Sequence, residues 1–268
     1  MNDTPAFFTH MDGHFVPTNL ALSPWSKGAL NGVAIGGLLA HLLDSALAES
    51  GMDPARLTID ILGTVPRAPL NAQLTMTRGG ARMRIYKAEL IADGRVWARA
   101  DMLCTRHDPT PPSEEKPMPF PHWREVPEGP FMHPKAFGGG ITTRPIGDVR
   151  ADGPGTLWAT FDCDVVAGIP LSPLVRAAII GDFGNGVGSY LDRQKWTFAN
   201  LDIALHFRRL PVGEWLLIHS ETESAGNGHA MVCNTFADEQ GIYARGFATL
   251  FISPNKGPLP DVVMRRAD

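Results

Sequence analysis

The sequence carries the same pattern twice, and this repeat limits the possible folds more than any other feature. In each half, a long apolar segment with helical spacing is followed by several segments that alternate like β-strands. Residues 96–99 (VWAR) match residues 242–245 (IYAR), at an offset of about 146 positions. Each unit therefore predicts an antiparallel sheet that wraps around one apolar helix in order to bury it.

The two helical segments are predicted at 31–50 and 171–192. The first is apolar on most sides, so we expect it to be buried. The second begins with Ser172 and Pro173, which suit the N-cap and the first helical position. In its middle lies one carboxylate, Asp182. Because a carboxylate on an apolar helix costs free energy unless it is paired or used, Asp182 is a candidate functional residue, with a local cap or salt bridge as the alternative.

The chain divides into two predicted domains, 1–106 and 151–268, joined by a proline- and glycine-rich connector at 107–150. We expect this connector to run over the surface, with Phe120, Trp123 and Phe131 docked against the rest of the chain. A hairpin turn is predicted at 93–94, an Asp-Gly pair. The strand predictions are 7–22 (one or two strands), 56–65, 70–79, 82–105 (a hairpin), 156–166, 200–210, 215–224, 229–238 and 241–253.

Composition argues against several classes of protein. The net charge of −4 and the pI of about 6.1 argue against nucleic-acid binding. No apolar stretch is expected to reach the ~20 residues of a membrane span, and the N-terminus lacks a signal pattern. We therefore expect a cytoplasmic protein with no membrane partner. Cys104, Cys163 and Cys233 are odd in number and far apart, which predicts reduced cysteines rather than disulfides or a zinc site.

The familiar motifs of other enzyme classes do not match. The sequence has no G-x-S-x-G, so a serine hydrolase of the α/β class is unsupported. It has no H-E-x-x-H and no close Cys/His spacing, so we expect no metal site. The glycine run at 184–188 lacks a preceding strand and the spacing of a dinucleotide loop. No cofactor is therefore expected.

Two segments carry a family resemblance. Residues 208–252, which begin RRLPVGEWLLIH and end GIYARGFATLFI, resemble the C-terminal half of the bacterial acyl-CoA thioesterase II family. Residues 77–103 (TRGGARMRIYKAELIADGRVWARADML) resemble its N-terminal half. The resemblance implies an α+β fold, the double hot-dog, with two antiparallel sheets each wrapped around a long central helix. It also implies hydrolysis of a fatty or related acyl-CoA, which would be the partner of the chain, and it leaves a homo-oligomer open.

The same resemblance implies three site residues. In that family an Asp on the second helix, a hydroxyl residue on the next strand and a Gln on the last strand hold the attacking water. Asp182 matches the Asp, Asn200 falls where Thr is common, and Thr249 falls at the Gln. Asn and Thr each offer a donor and an acceptor for orienting a water. The predicted catalytic residues are therefore Asp182, Asn200 and Thr249.

Other residues and other functions stay open. His41 and Asp44 share a helix face and form a candidate second site. Gly36–Gly37 would either bring backbone N–H groups to a ligand or allow close packing. Strand alternation puts Asp202 on the same side as Asn200, where it would support the site. The alternative functions are another acyl-thioester enzyme, such as a dehydratase, and a non-catalytic acyl-CoA binding module.

Overall fold

The computed structural model describes residues 4–24, 26–113, 118–131, 140–148, 152–192 and 194–256. Strands are the commonest regular structure in this part of the chain and helices are few, in agreement with an α+β class. The helices are α1 (Gly32–Ser50), α2 (Pro173–Gly181) and α3 (Gly184–Val187). The strands are β1 (Ala6–Met11), β2 (His14–Pro17), β3 (Asp53–Ile61), β4 (Asn71–Arg78), β5 (Met83–Ala92), β6 (Arg95–Thr105), β7 (Ile141–Ile146), β8 (Gly155–Phe161), β9 (Asp164–Val166), β10 (Trp196–Phe207), β11 (Leu216–Glu223), β12 (His229–Asp238) and β13 (Gly241–Pro254).

One large sheet contains ten of these strands, and its order reflects the repeat. The order is β4-β5-β6-β3-β10-β13-β12-β11-β8-β7, so the four strands of the first half mirror four strands of the second. The two halves join where β3 pairs antiparallel with β10. The expectation of two separate sheets was wrong, because this pairing satisfies the free backbone groups that each half would otherwise expose at an edge. A smaller sheet has the order β2-β1-β9, and its buried apolar side chains belong to the main hydrophobic core.

Most residues of helix α1 are buried in the core, as its sequence predicts. The side chain of Asn31 caps it by accepting a hydrogen bond from the N–H of Ala34 at 2.7 Å. Gly51 ends it in the left-handed conformation, with a φ of 62°. By length and hydropathy α1 also meets the criterion for a membrane span, contrary to the expectation from the sequence. This is weak evidence for a membrane, because the core helix of a water-soluble protein passes the same test and 61% of the apolar window is buried inside the protein.

The second helix is much shorter than predicted. It starts at Pro173 with Ser172 as its N-cap, as expected, but it ends at Gly181, and the short α3 follows. The small residues that follow allow close packing: a methyl group on Gly184 would lie 2.4 Å from Oδ1 of Asn234 on β12. Asp182 therefore does not lie within a helix. It is the C-terminal capping residue of α2, at the bend between α2 and α3.

The predicted connector contributes to the fold in three places. Strand β7 lies within it and pairs with β8 at the edge of the large sheet, where Pro145 is tolerated. Trp123 stacks on Trp215, with ring centroids 4.8 Å apart. Phe131 is buried, with 8% of its surface exposed. The connector residues 114–117, 132–139 and 149–150 lie outside the described residues.

Candidate active site

A cavity of about 350 Å³ lies where the two halves of the chain meet. Its walls come from the start of α1, the end of β3, the start of β10 and the bend between α2 and α3. Many of the lining side chains are apolar, and several polar side chains lie among them. The apolar ones include Leu30, Val33, Val65, Phe131, Phe183 and Phe198, and the polar ones include Asn31, Asp182, Asn185 and Asn200.

The Asp182 carboxylate lies directly against the first turn of α1. The backbone N–H of Val33 donates a hydrogen bond to it. A methyl group on Gly32 would lie only 2.2 Å from Oδ1 and 2.6 Å from Oδ2 of Asp182, so only glycine fits at this position. The N-terminus of a helix carries a partial positive charge, which favours an anion. The start of α1 therefore forms a binding position for the Asp182 carboxylate.

Burial raises the pKa of Asp182 to about 7, from an ordinary value of 3.8. Removal of the carboxylate from water is the largest cause, because it disfavours the charged form. The hydrogen bonds from the Asn200 side chain and the Val33 N–H lower the pKa and partly oppose the burial. A carboxylate with this pKa exchanges a proton near neutral pH, which is what a general base requires.

Asn200 and Asn185 extend the contact into a chain of hydrogen bonds. The Asn200 Nδ2 donates to Asp182 Oδ1 at 2.6 Å. The Asn185 Nδ2 donates to Asn200 Oδ1 at 2.9 Å. Both asparagines line the cavity beside Asp182. The structure thus brings together two of the three predicted site residues, Asp182 and Asn200, and adds Asn185.

Thr249 does not reach this site. It stands opposite Asp202 in the pairing of β10 with β13, whereas Asn200 stands opposite Leu250. Neighbouring residues of a strand face opposite sides of the sheet, so Thr249 and Leu250 point in different directions. Leu250 is buried in the core. Thr249 therefore lies on the face of the sheet away from Asn200, and its predicted role at the site is not supported by its position.

A β-bulge explains why the alternation argument fails for Asp202. The register of β10 shifts between Asn200 and Asp202, so the residue between them has no partner in the ladder. This extra residue turns Asp202 to the face opposite to Asn200. Its Oδ1 accepts a hydrogen bond from the backbone N–H of Thr249 at 2.7 Å. Asp202 thus stabilises the bulge and does not support Asp182.

The candidate second site in the first half has a structural role in this molecule. Ser172, the N-cap of α2, donates a hydrogen bond from its hydroxyl to Asp44 Oδ1 at 2.9 Å. Burial lowers the pKa of His41, while Asp44 acts in the opposite direction. The ring of His41 packs edge-on against Phe15, with centroids 6.4 Å apart. The pair therefore joins α1 to the start of α2.

Of the Gly36–Gly37 pair, close packing accounts for Gly37. A methyl group on Gly37 would lie 2.8 Å from Cγ2 of Val165, so this glycine admits a strand residue. The glycine next to the carboxylate is Gly32, which was not among the predicted site residues. Its signal was the Asn-Gly pair at the start of the first helix. The sequence signal for Asn185 was its position between Gly184 and Gly186, because small residues on both sides indicate that another part of the chain packs closely there.

Comparison with protein families matches nearly the whole chain. The family model "Acyl-CoA thioesterase N-terminal domain" matches residues 21–107, and "Acyl-CoA thioesterase C-terminal domain" matches residues 104–247. A comparison with curated proteins found no match. These two family matches cover both halves of the repeat.

Solved structures share the fold over most of their length. A candidate thioesterase II of Thermobifida fusca YX is 15% identical, with a TM-score of 0.71, over 94% of this chain and 97% of the other. A hot-dog protein of unknown function from Alicyclobacillus acidocaldarius is 18% identical, with a TM-score of 0.73, over 91% and 94%. The acyl-CoA thioesterase II TesB2 of Mycobacterium marinum is 17% identical, with a TM-score of 0.64, over 85% and 92%. At these identities the likeness establishes the hot-dog fold alone.

Proposed function

The chain belongs to the acyl-CoA thioesterase family and is a thioester hydrolase, and from this premise we propose that it hydrolyses a fatty or related acyl-CoA with a water activated by Asp182. The observation that carries the proposal is the position of the Asp182 carboxylate. It lines an apolar cavity, rests against the N-terminus of α1 and has a pKa of about 7. A base with this pKa is ionised often enough at neutral pH to take a proton from water.

The proposed reaction begins with a water held by Asp182. As the water oxygen attacks the carbonyl carbon, one of its protons passes to the carboxylate, and the carbonyl electron pair moves onto the carbonyl oxygen. When the tetrahedral intermediate collapses, the bond between carbon and sulfur breaks. The proton held by Asp182 is then available to the leaving thiolate, and the products are a free acid and coenzyme A.

The developing oxyanion needs a hydrogen-bond donor, and the first turn of α1 offers one. The N–H of Val33 bonds to Asp182, and the N–H groups of Ala34 and Ile35 bond to Asn31. In the described part of the chain, the N–H of Gly32 has no such partner, and Gly32 lines the cavity. We propose that this N–H donates to the oxyanion, where the partial positive charge of the helix start adds to its effect.

The acyl group would occupy the apolar part of the cavity. Phe131, Phe183 and Phe198 form part of its walls. Each methylene removed from water contributes about 0.8 kcal/mol to binding. A volume of about 350 Å³ is at the lower end of small-molecule cavities, which span roughly 300–1,000 Å³. The cavity therefore suits the acyl group alone, with the nucleotide part of coenzyme A outside it.

The test is the release of free thiol from short, medium, long and aromatic acyl-CoAs. We expect wild-type protein to hydrolyse at least one class, and Asp182→Asn to lose at least 100-fold in kcat while its fold is retained. Asp93→Asn is the matched control, because it makes the same chemical change at an exposed hairpin turn whose φ of 50° suits asparagine. Asp44→Asn tests the first-half pair in the same assay.

The other outcomes each exclude the proposal in a defined way. If Asp182→Asn keeps wild-type turnover, the enzyme remains but the base lies elsewhere. If thiol is not released and an enoyl product forms, the chain is a dehydratase. If acyl-CoA binds without turnover, the chain is a binding module.

A further inference from the structure

We propose that Asn185 is a positioning residue, which fixes the orientation of the Asn200 amide and so keeps Asp182 in its ionised, base-competent form. The inference rests on the proposed role of Asp182 as the base. It starts from the hydrogen-bonded chain in which Asn185 donates to Asn200 at 2.9 Å and Asn200 donates to Asp182 at 2.6 Å.

The direction of this chain follows from the chemistry of its ends. An ionised carboxylate only accepts hydrogen bonds, so Asn200 must present its NH₂ group to Asp182. The carbonyl oxygen of Asn200 is then turned the other way, towards Asn185. Because that oxygen only accepts, Asn185 must present its own NH₂ group. The donor at Asn185 therefore supports the donor that stabilises the charge on Asp182.

A reversed Asn200 amide would have the opposite effect on Asp182. Its carbonyl oxygen would then face the carboxylate, which is repulsive when Asp182 is ionised. The contact becomes favourable only when Asp182 carries a proton and donates it. Hydrogen bonding to the charged form lowers the pKa of an acid, and hydrogen bonding to the neutral form raises it. The orientation of one amide thus sets the pH range in which Asp182 acts as a base.

The backbone around Asn185 is held in place by close contacts on both sides. A methyl group on Gly184 would lie 2.4 Å from Oδ1 of Asn234, and one on Gly186 would lie 2.6 Å from Cζ of Phe131. These contacts clamp α3 between β12 and the connector. Asn185 therefore faces Asn200 from a fixed position, and the flanking residues are glycines because larger side chains would clash with Asn234 and Phe131.

Two variants at position 185 separate a positioning role from simple packing. Asn185→Asp keeps the shape but can only accept hydrogen bonds when ionised, so Asn200 is expected to turn its NH₂ group towards it. Asn185→Leu has a similar size and makes no hydrogen bond. We expect the acid limb of the pH profile of kcat/KM to move up by at least one pH unit in Asn185→Asp and by less in Asn185→Leu. At pH 7 the Asp variant is expected to lose at least about fivefold, because a shift of one pH unit lowers the ionised fraction of Asp182 from about one half to about one eleventh, with recovery at higher pH.

The pathway of the effect is tested by a double-mutant cycle with Asn200→Ala. If Asn185 acts through Asn200, then Asn185→Leu has no further effect on kcat/KM in the Asn200→Ala background. A purely structural role would give equal effects in both backgrounds. An unchanged acid limb in Asn185→Asp, or additive effects in the cycle, would overturn the inference.

A second readout keeps the inference separate from the proposed function. The carboxyl carbon of Asp182 is titrated by ¹³C NMR in wild type and Asn185→Leu, with its signal assigned by its loss in Asp182→Asn. A higher pKa in Asn185→Leu supports the positioning role, and an equal pKa refutes it, whatever the activity. Retained turnover in Asp182→Asn would refute the proposed base without deciding the NMR result.

Discussion

Replacing Asp182 by Asn should stabilise the protein at high pH while it removes activity. The pKa of Asp182 is raised to about 7 in the folded protein, from 3.8. A raised acid pKa means that folding is favoured most when the acid is protonated in both states. Stability is therefore fully present below about pH 4 and is lost as the pH rises towards 7, because the unfolded chain ionises first. Above pH 7 the loss is constant.

The size of the effect follows from the pKa values. Each step of one in pKa corresponds to about 1.4 kcal/mol, so the change from 3.8 to about 7 corresponds to about 4 kcal/mol of free energy of unfolding. This is an upper limit, since Asp182 keeps some exposure through the cavity. Asparagine cannot ionise, and it resembles the protonated acid in shape. We expect Asp182→Asn to match wild type near pH 4 and to be more stable by up to about 4 kcal/mol at pH 8.

The assay is thermal or urea unfolding of wild type and Asp182→Asn at several pH values from 4 to 8. For a chain of this length, about 1 kcal/mol corresponds to roughly 2–4 °C in Tm, so the upper limit of the difference at pH 8 corresponds to about 8–16 °C. Asp93→Asn, at an exposed turn, controls for the chemical change itself. If the difference between wild type and Asp182→Asn does not grow from pH 4 to pH 8, the carboxylate is not held in the environment described here.

Three further predictions concern the same cavity. In wild type, kcat/KM should fall tenfold for each pH unit below about 7, as Asp182 takes up its proton, and a steady-state pH profile with an acid limb near pH 4 would contradict this. Gly32→Ala should lower kcat at least tenfold, because the methyl group would displace the Asp182 carboxylate, whereas Gly36→Ala on the same helix meets its nearest atom at 3.4 Å and should keep activity in the same assay. Phe131→Ala should shift the preference in an acyl-CoA panel towards longer chains and cost about 3 kcal/mol in unfolding experiments, while Trp123→Ala, elsewhere on the connector, should leave the preference unchanged.

Local signals in the sequence predicted the elements that depend on local chemistry. The N-cap Ser172 and the hairpin turn at 93–94 are confirmed, because capping and turn geometry depend on a few neighbouring residues. The features that failed depend on distant contacts. The bulge at 200–202 places Asp202 on the sheet face opposite to the one that strand alternation predicts, and no local sequence pattern indicates the bulge.

The pair of Asp182 and Asn200 came from the resemblance to a family, and the structure brings the two side chains together. Asn185 and Gly32 were missed because their importance lies in what approaches them from other elements. The contact of Gly32 with the Asp182 carboxylate links residues that are far apart in sequence. A glycine at the start of a helix has many explanations until the residue packed against it is known.

The repeat also shows why the chemistry would be placed at one helix start and not at both. The two helices begin in the same way, with the capping residues Asn31 and Ser172, and each start receives a carboxylate from the other helix region. The first helical residue differs, being Gly32 in α1 and Pro173 in α2. Proline has no N–H and carries a ring, so the start of α2 lacks the backbone donor that the proposed mechanism uses.

The two carboxylates at these helix starts, Asp44 and Asp182, also differ in what they contact. At the start of α2, Asp44 accepts a hydrogen bond from the Ser172 hydroxyl and so supports the cap. At the start of α1, Asp182 contacts the backbone directly, because Gly32 has no side chain to keep it away. The residue at the first helical position thus distinguishes a structural contact from a site that holds a buried carboxylate beside a backbone donor. Under the proposed mechanism, this difference would give one half the groups for the reaction, while the matching contact of Asp44 with Ser172 joins the two helices.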